Sequence, residues 1–271
     1  MNNQIKQTWQ QFIDELSNWK KTNTSPIFWI RDDDITEENE NIFKLINLCI
    51  SNDTPLYLAA IPKKIDRKLI SKTINYSECY ILQHGFSHQN HAPKKHKKSE
   101  FHSSRELNVM CSEIKKGYEI LVGCCREKLL PVFVPPWNRM TDRLFPCLLK
   151  SGLQGYSSKN TSFKVPENLI VRDAHLDIAD WKNNCKFIGE TTSINMLINQ
   201  LQLIRTTQNT ACTPICVLTH HKVMDEESFS FLKKLIKTSK ESGAIWGSPK
   251  KSSVADLTYH KYRISFLLTN Y

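Results

Sequence analysis

The sequence predicts an α/β fold: one closed or nearly closed (β/α) barrel built mainly of parallel strands. Three observations predict it. Short apolar runs alternate with longer segments of helical periodicity along most of the chain. Polar and titratable clusters fall just after the apolar runs, where parallel sheets form their sites. No linker-like stretch interrupts the alternation, so residues 1–271 read as one domain. A doubly wound open sheet is the other arrangement this pattern allows.

The elements follow in order. Residues 4–20 place Ile5, Trp9, Phe12, Ile13, Leu16 and Trp19 at spacings of three and four, an amphipathic helix packing on the barrel. Residues 27–30 follow Pro26 and form a buried strand. Thr36 is the expected N-cap of a helix through Ile42, Phe43, Leu45, Ile46 and Leu48. Residues 56–61 form a strand stopped by Pro62, 65–75 a helix and 79–82 a strand. A polar loop covers 84–103. Residues 104–127 form a helix with Leu107, Met110, Ile114, Tyr118 and Leu121 on one face. Residues 131–134 form a strand ending in a Pro-Pro turn, and Thr141 caps a helix to about 151. Short strands at 155–157 and 169–171 lead to a helix at 192–206, a strand at 215–218, a helix at 226–240 and a last strand at 244–246.

Composition removes several classes. Of 271 residues, 40% are hydrophobic and 10% aromatic, which argues against a disordered chain. No apolar run is long enough to span a bilayer. The first residues contain no apolar h-region. Nine cysteines is an odd number for a secreted disulfide framework. Cys49, Cys79 and Cys216 sit in apolar runs as small buried hydrophobes. Cys124-Cys125 ends a helical pattern, and Cys212-x-x-x-Cys216 lacks the second pair of a zinc finger. A reduced, cytoplasmic setting is expected. The net charge of +10 is carried mostly by scattered lysines, with one compact run at Lys94, Lys95, Lys97 and Lys98. No nucleic-acid-binding motif accompanies it, so it reads as solvated surface rather than a nucleic-acid face.

Five clusters stand at five predicted strand ends: Arg31-Asp32-Asp33-Asp34, His84 to His91, Pro135-Pro136-Trp137-Asn138-Arg139, His175 to Trp181, and Thr219-His220-His221. Adjacent carboxylates repel unless a positive charge sits among them, and a divalent cation removes the penalty. His84 and His88 have the i,i+4 spacing that lets two imidazoles face one point. Two imidazoles plus a carboxylate leave open positions, as a catalytic metal site requires.

This ordered set resembles the polysaccharide deacetylases with a NodB-type domain, carbohydrate esterase family 4. The family's Asp pair is matched within Asp32-Asp33-Asp34. Its His-Ser/Thr-x-x-His motif is matched by His84-Gly-Phe-Ser-His88, with Gly85 at the hydroxyl position. Its Arg-x-Pro-type motif is matched by Val134-Pro135-Pro136-Trp137, its Asp-x-x-Asp-Trp by Asp177 to Trp181, and its Leu-x-His by Leu218-Thr219-His220.

The resemblance implies a distorted (β/α) barrel of the NodB type, a divalent metal, most often Zn2+, and hydrolysis of an acetyl group from an N-acetylated saccharide. It implies Asp33 as base and Asp34, His84 and His88 as ligands, with Asp32 and Asp33 as the other register. His220 would be the general acid, with His221 its competitor; strand alternation turns one of the two away. Asp177 or Asp180 would orient that acid. Trp137 and Trp181 would wall the site. Val134 stands where the family has arginine, so Arg31 or Arg139 would supply the charge. His91 and His175 are further candidates for lining the mouth, while His96, His102 and His260 read as surface residues.

Overall fold

The computed structural model describes residues 3–159, 161, 163–207 and 213–247. In chain order these form α1 (Asn3–Lys21), β1 (Ile27–Ile35), α2 (Glu40–Ile50), β2 (Leu56–Ala60), α3 (Arg67–Thr73), β3 (Cys79–His84), α4 (Leu107–Cys125), β4 (Leu129–Val134), α5 (Phe145–Lys150), β5 (Gly155–Tyr156), β6 (Ile170–Val171), β7 (Ala174–Asp177), β8 (Ala179–Asp180), β9 (Lys186–Phe187), α6 (Glu190–Thr206), β10 (Ile215–Thr219), α7 (Glu226–Glu241) and β11 (Ile245–Trp246). The main sheet runs β6-β5-β4-β3-β2-β1-β10-β7, with β11 added on β1. All its ladders are parallel, so the strands' carboxyl ends share one edge. No ladder joins β6 to β7 among the described residues, and the barrel is distorted and incompletely closed.

Alternation along the strands separates two cores. Phe28, Ile30, Leu56, Leu58, Ile81, Ile215 and Val217 face the helical layer. Trp29, Tyr57, Ala59, Leu82, Val132, Cys216 and Leu218 fill the barrel interior. Helix α1 belongs to the first core. Its Trp9, Phe12, Leu16 and Trp19 are buried, Phe12 lies edge-on to Phe28, and Glu15 pairs with Arg205 of α6 at 2.7 Å. Each such fully buried side chain is worth about 1.5–3 kcal/mol of apolar transfer.

The structure departs from the sequence expectations in four places. Strand β1 continues through the Asp triplet to Ile35, because Asp32 and Asp33 are buried and paired. The α2 cap is Asn39, whose side chain accepts the Ile42 N–H, rather than Thr36. Residues 174–187 contain three short strands where a polar cluster was expected. Cys111 on α4 and Cys147 on α5 are joined as a disulfide, against the wholly reduced reading. Cys49, Cys79 and Cys216 are buried and free, as expected. Cys212 and His260 lie outside the described residues. No described helix is long and apolar enough to cross a membrane.

Candidate active site

Strand β1 presents its residues in alternation. Arg31 and Asp33 point into the barrel, while Asp32 points to the helical layer. Strict alternation would turn Asp34 away from Asp33. A register shift against β2 prevents this: Asp32 pairs with Leu58, but Ile35 with Ala60. Three steps on β1 thus match two on β2, a bulge. Asp34 takes the left-handed conformation there, φ +70°. Its carboxylate reaches the strand-end edge beside Asp33, toward His84 and His88.

The ends of β3 and β4 supply the facing groups. Asp34 Oδ1 lies 3.4 Å from His84 Nε2 and 3.2 Å from His88 Nε2. These three residues are the described group whose donor atoms converge closely enough to hold a metal ion. His84 Nδ1 is 3.0 Å from the Val134 carbonyl, which fixes the ring and leaves the Nε2 lone pair aimed at Asp34. Asp34 Oδ1 is buried without a hydrogen-bond donor. Three lone-pair atoms meeting at one point repel unless a proton or a cation sits among them. The donor set therefore fits a divalent cation of the kind imidazole and carboxylate share. Burial alone would raise the Asp34 carboxyl, but His84 and His88 outweigh it and hold it well below the carboxylate range. Burial lowers His84, yet Asp33 and Asp34 together raise it above the ordinary histidine value. Burial and the neighbouring His84 push His88 down to about 4, which keeps its lone pair free.

The turn carrying His88 is held by a residue the sequence reading missed. Glu100 is fully buried. Its carboxylate accepts from the backbone N–H groups of Phe86 (3.2 Å), Ser87 (2.6 Å) and His88 (3.2 Å) and from the Ser87 hydroxyl (2.8 Å). The same contact explains Gly85. Its φ is +57°, and a Cβ there would stand 2.2 Å from Glu100 Oε2 and 2.5 Å from Pro136 Cγ. The only available signal was one acid alone in a cationic loop. Backbone strain gathers here: His88, Trp137 and Asn138 all have φ near +55°. Left-handed non-glycine residues persist where surrounding contacts over-determine them. The Pro135-Pro136 turn sets Trp137 against His88, ring centroids 4.3 Å apart.

Arg31 provides the charge that Val134 cannot. It is wholly buried, with Nε 2.9 Å from Asp33 Oδ1 and a hydrogen bond from its second terminal nitrogen to Asp33 Oδ2 at 3.0 Å. Asn138 Oδ1 (2.9 Å), from the strand-end cluster after β4, and Ser157 Oγ (2.7 Å), a residue the sequence did not single out, hold the guanidinium. Burial opposes the charge, but Asp33 outweighs it and raises the Arg31 pKa. Arg139 is exposed and donates to the Lys98 carbonyl instead.

Opposite Asp33 stands His220, at the end of β10. Its Nε2 is 4.0 Å from Asp33 Oδ2 and its Nδ1 3.8 Å from Asp177 Oδ1. Asp177 is oriented by the Trp181 indole N–H at 2.8 Å and the Ala179 N–H at 3.1 Å. The half-exposed Trp181 lies edge-on to His220 at 4.6 Å.

The structure thus gathers Arg31, Asp33, Asp34, His84, His88, Trp137, Asp177, Trp181 and His220, and separates the other candidates. Asp32 and His221 form a wholly buried pair on the helical side of β1: His221 Nδ1 lies 2.6 Å from Asp32 Oδ2, and Asp32 Oδ1 accepts from His221 N and Thr219 Oγ1. His175 sits in a bulge of β7, where its Nδ1 accepts the Cys216 N–H at 3.0 Å. Burial pushes its pKa down, keeping that acceptor neutral. Asp180 accepts from Lys182 N, Asn183 N and Asn183 Nδ2, and so closes the β8–β9 turn. His91 is exposed.

No family model matches the sequence, and no curated protein is similar to it. Solved structures are similar in fold. A family 4 carbohydrate esterase from Streptomyces lividans, in complex with acetate, superposes with a TM-score of 0.53 at 15% identity, covering 84% of this chain and 95% of its own. A family 4 acetyl xylan esterase from Clostridium thermocellum, in complex with a cobalt ion, gives 0.53 at 12%, covering 82% and 87%. BA3943, a family 4 pseudoenzyme from Bacillus anthracis, gives 0.53 at 12%, covering 85% and 66%. The chain therefore has the fold of the polysaccharide deacetylases of carbohydrate esterase family 4.

Proposed function

We propose that this chain hydrolyses an acetyl group from an N-acetylated saccharide, using a divalent cation, zinc by its donor set, held by Asp34, His84 and His88. The observation that carries this reading is the juxtaposition of two units at one sheet edge. A converging carboxylate–imidazole–imidazole set stands beside a carboxylate, Asp33, that faces a second imidazole, His220. A cation bound there would polarise the acyl carbonyl and acidify water.

The chain's own groups divide the remaining work. Asp33, fixed by Arg31 in one orientation, takes the proton of the attacking water. The water oxygen bonds to the acyl carbon, and the C–N bond breaks. His220 gives its proton to the departing nitrogen, and acetate and a free amine leave. Amide cleavage demands such a donor, because an unprotonated amine is a poor leaving group; an ester demands it less. Asp177 orients His220 from its Nδ1 side. Trp137 and Trp181 flank the two halves with aromatic faces that suit a sugar ring.

The fold resemblance to the BA3943 pseudoenzyme and the valine at position 134 favour one other reading, a saccharide-binding relative without turnover. The experiment is acetate release from N-acetylated and O-acetylated sugars by zinc-loaded protein, with Asp33→Asn and His220→Ala alongside. Release from the N-acetylated sugars that both variants abolish supports the proposal. Binding without release supports the other reading.

A further inference from the structure

Between His88 and α4 the chain makes a long excursion from the carboxyl end of β3, the edge that carries the candidate site. Its base is closed. The His91 N–H donates to Ser99 O at 2.9 Å, and Asn90 Oδ1 accepts from Ala92 N at 3.1 Å and Ser99 N at 3.0 Å. The base is also clamped to the Trp137 turn. Arg139 donates to Lys98 O at 3.3 Å, and Ser99 Oγ to Arg139 O at 3.2 Å. Trp137 lies against His88. The excursion is therefore fixed at the rim of the site.

Its exposed positions are cationic. Lys94, Lys95, Lys97 and Lys98 all face solvent, and none of them forms an ion pair among the described residues. Of the two acids in this segment, Glu100 is occupied by the His88 turn and Glu106 lies at its far end, at the start of α4. Lys63 and Lys64 add to the same rim. The Lys63 N–H donates to Phe86 O at 2.9 Å and its ammonium lies over the Phe86 ring, with Lys64 the next residue. Like charges gathered on one short segment repel, and the repulsion is relieved when an anion binds among them. A neutral sugar has no use for such a rim, whereas lysine ammonium groups bind phosphate as point charges.

We propose that this lysine rim selects a saccharide that carries phosphate beside its acetylated sugar, either a sugar phosphate or a sugar linked through a diphosphate. The proposal rests on the deacetylase reading above and names its substrate class. The lysines touch no reacting atom; they act on binding.

The test compares zinc-loaded wild type with a variant in which Lys94, Lys95, Lys97 and Lys98 are all changed to glutamine. The substrates are an N-acetylhexosamine, its 1-phosphate and its nucleotide-diphosphate derivative. Expected for wild type is a KM at least about tenfold lower for one of the charged sugars, shrinking as salt rises. Which charged sugar gains identifies the source of the phosphate. The variant is expected to lose that advantage while keeping kcat, and to treat the neutral sugar as wild type does. Equal KM values for neutral and charged sugars, or an advantage that survives in the variant, would overturn the proposal. If no sugar yields acetate, the deacetylase reading fails, and equilibrium binding of the same 1-phosphate decides the rim separately. Tighter binding by wild type than by the variant supports it; equal binding overturns it.

Discussion

Arg31 and Asp33 face each other two residues apart on one strand, joined by two nitrogen–oxygen contacts of 2.9 and 3.0 Å inside the barrel. Each buried charge is tolerable because of the other, and the Arg31 fork also uses Asn138 and Ser157. Arg31→Met leaves the Asp33 carboxylate buried and unpaired. We expect it to destabilise the fold by about 3–5 kcal/mol and to lower kcat at least about a hundredfold. Arg139→Met should change neither. Thermal denaturation and acetate release on the two variants check this; equal effects would refute the assignment of the charge to Arg31.

The bulge at Asp34 makes a separate prediction about register. Asp34→Asn, His84→Ala and His88→Ala should each lose bound zinc, measured by elemental analysis after dialysis. Asp32→Asn should retain it, because Asp32 points to the helical layer and bonds His221. Zinc lost from Asp32→Asn but kept by Asp34→Asn would restore the other register.

The His88 turn depends on Glu100 and Gly85 together. Glu100→Ala removes four hydrogen-bond acceptances and should weaken zinc binding about 10- to 100-fold without touching a ligand. Gly85→Ser brings in the hydroxyl residue found at this position in the resembled family. It should lower the melting temperature rather than help, since its Cβ meets Glu100 and Pro136 and φ is positive. A zinc titration by calorimetry and a thermal melt test the pair; an unchanged melt for Gly85→Ser would contradict the geometry.

The adjacent histidines should fail in different ways. His220→Ala is expected to abolish turnover with a small change in stability, since His220 makes only long contacts, 3.8 and 4.0 Å, to its carboxylates. His221→Ala strips Asp32 of its buried partner and should cost about 3–5 kcal/mol of stability. Urea denaturation with parallel acetate assays separates them. A stable, inactive His221→Ala would make His221 the acid.

The sequence made the site legible where chemistry and position coincide. His84 and His220 follow predicted apolar strands and His88 lies four residues beyond His84, so the parallel-sheet rule puts these three at one edge; Asp177 ends β7, a short strand that no apolar run announced. Alternation also forecast that one of His220 and His221 turns away, but could not say which, because a buried Asp32 decides it from another strand. The Asp register was hidden for a similar reason: a bulge is one extra residue against a partner strand and leaves no periodic trace. His175 and Asp180 have the residue types of a site and the contacts of a scaffold. Glu100 shows the reverse, a surface-like residue in a polar loop that is buried because four donors converge on it. Helix α2 shows the local limit: Thr36 and Asn39 are both good caps, and only the length of β1 chooses Asn39.

On the proposed function, Asp33 and His220 act across one acyl group beside a cation held by Asp34, His84 and His88. The most direct measurement is acetate released from an N-acetylated saccharide by zinc-loaded wild type and zinc-loaded Asp33→Asn, with zinc content measured on both. Expected are one zinc per chain in each, release by wild type, and a fall of at least about a thousandfold in Asp33→Asn. Release undiminished in Asp33→Asn, with its zinc intact, would contradict it.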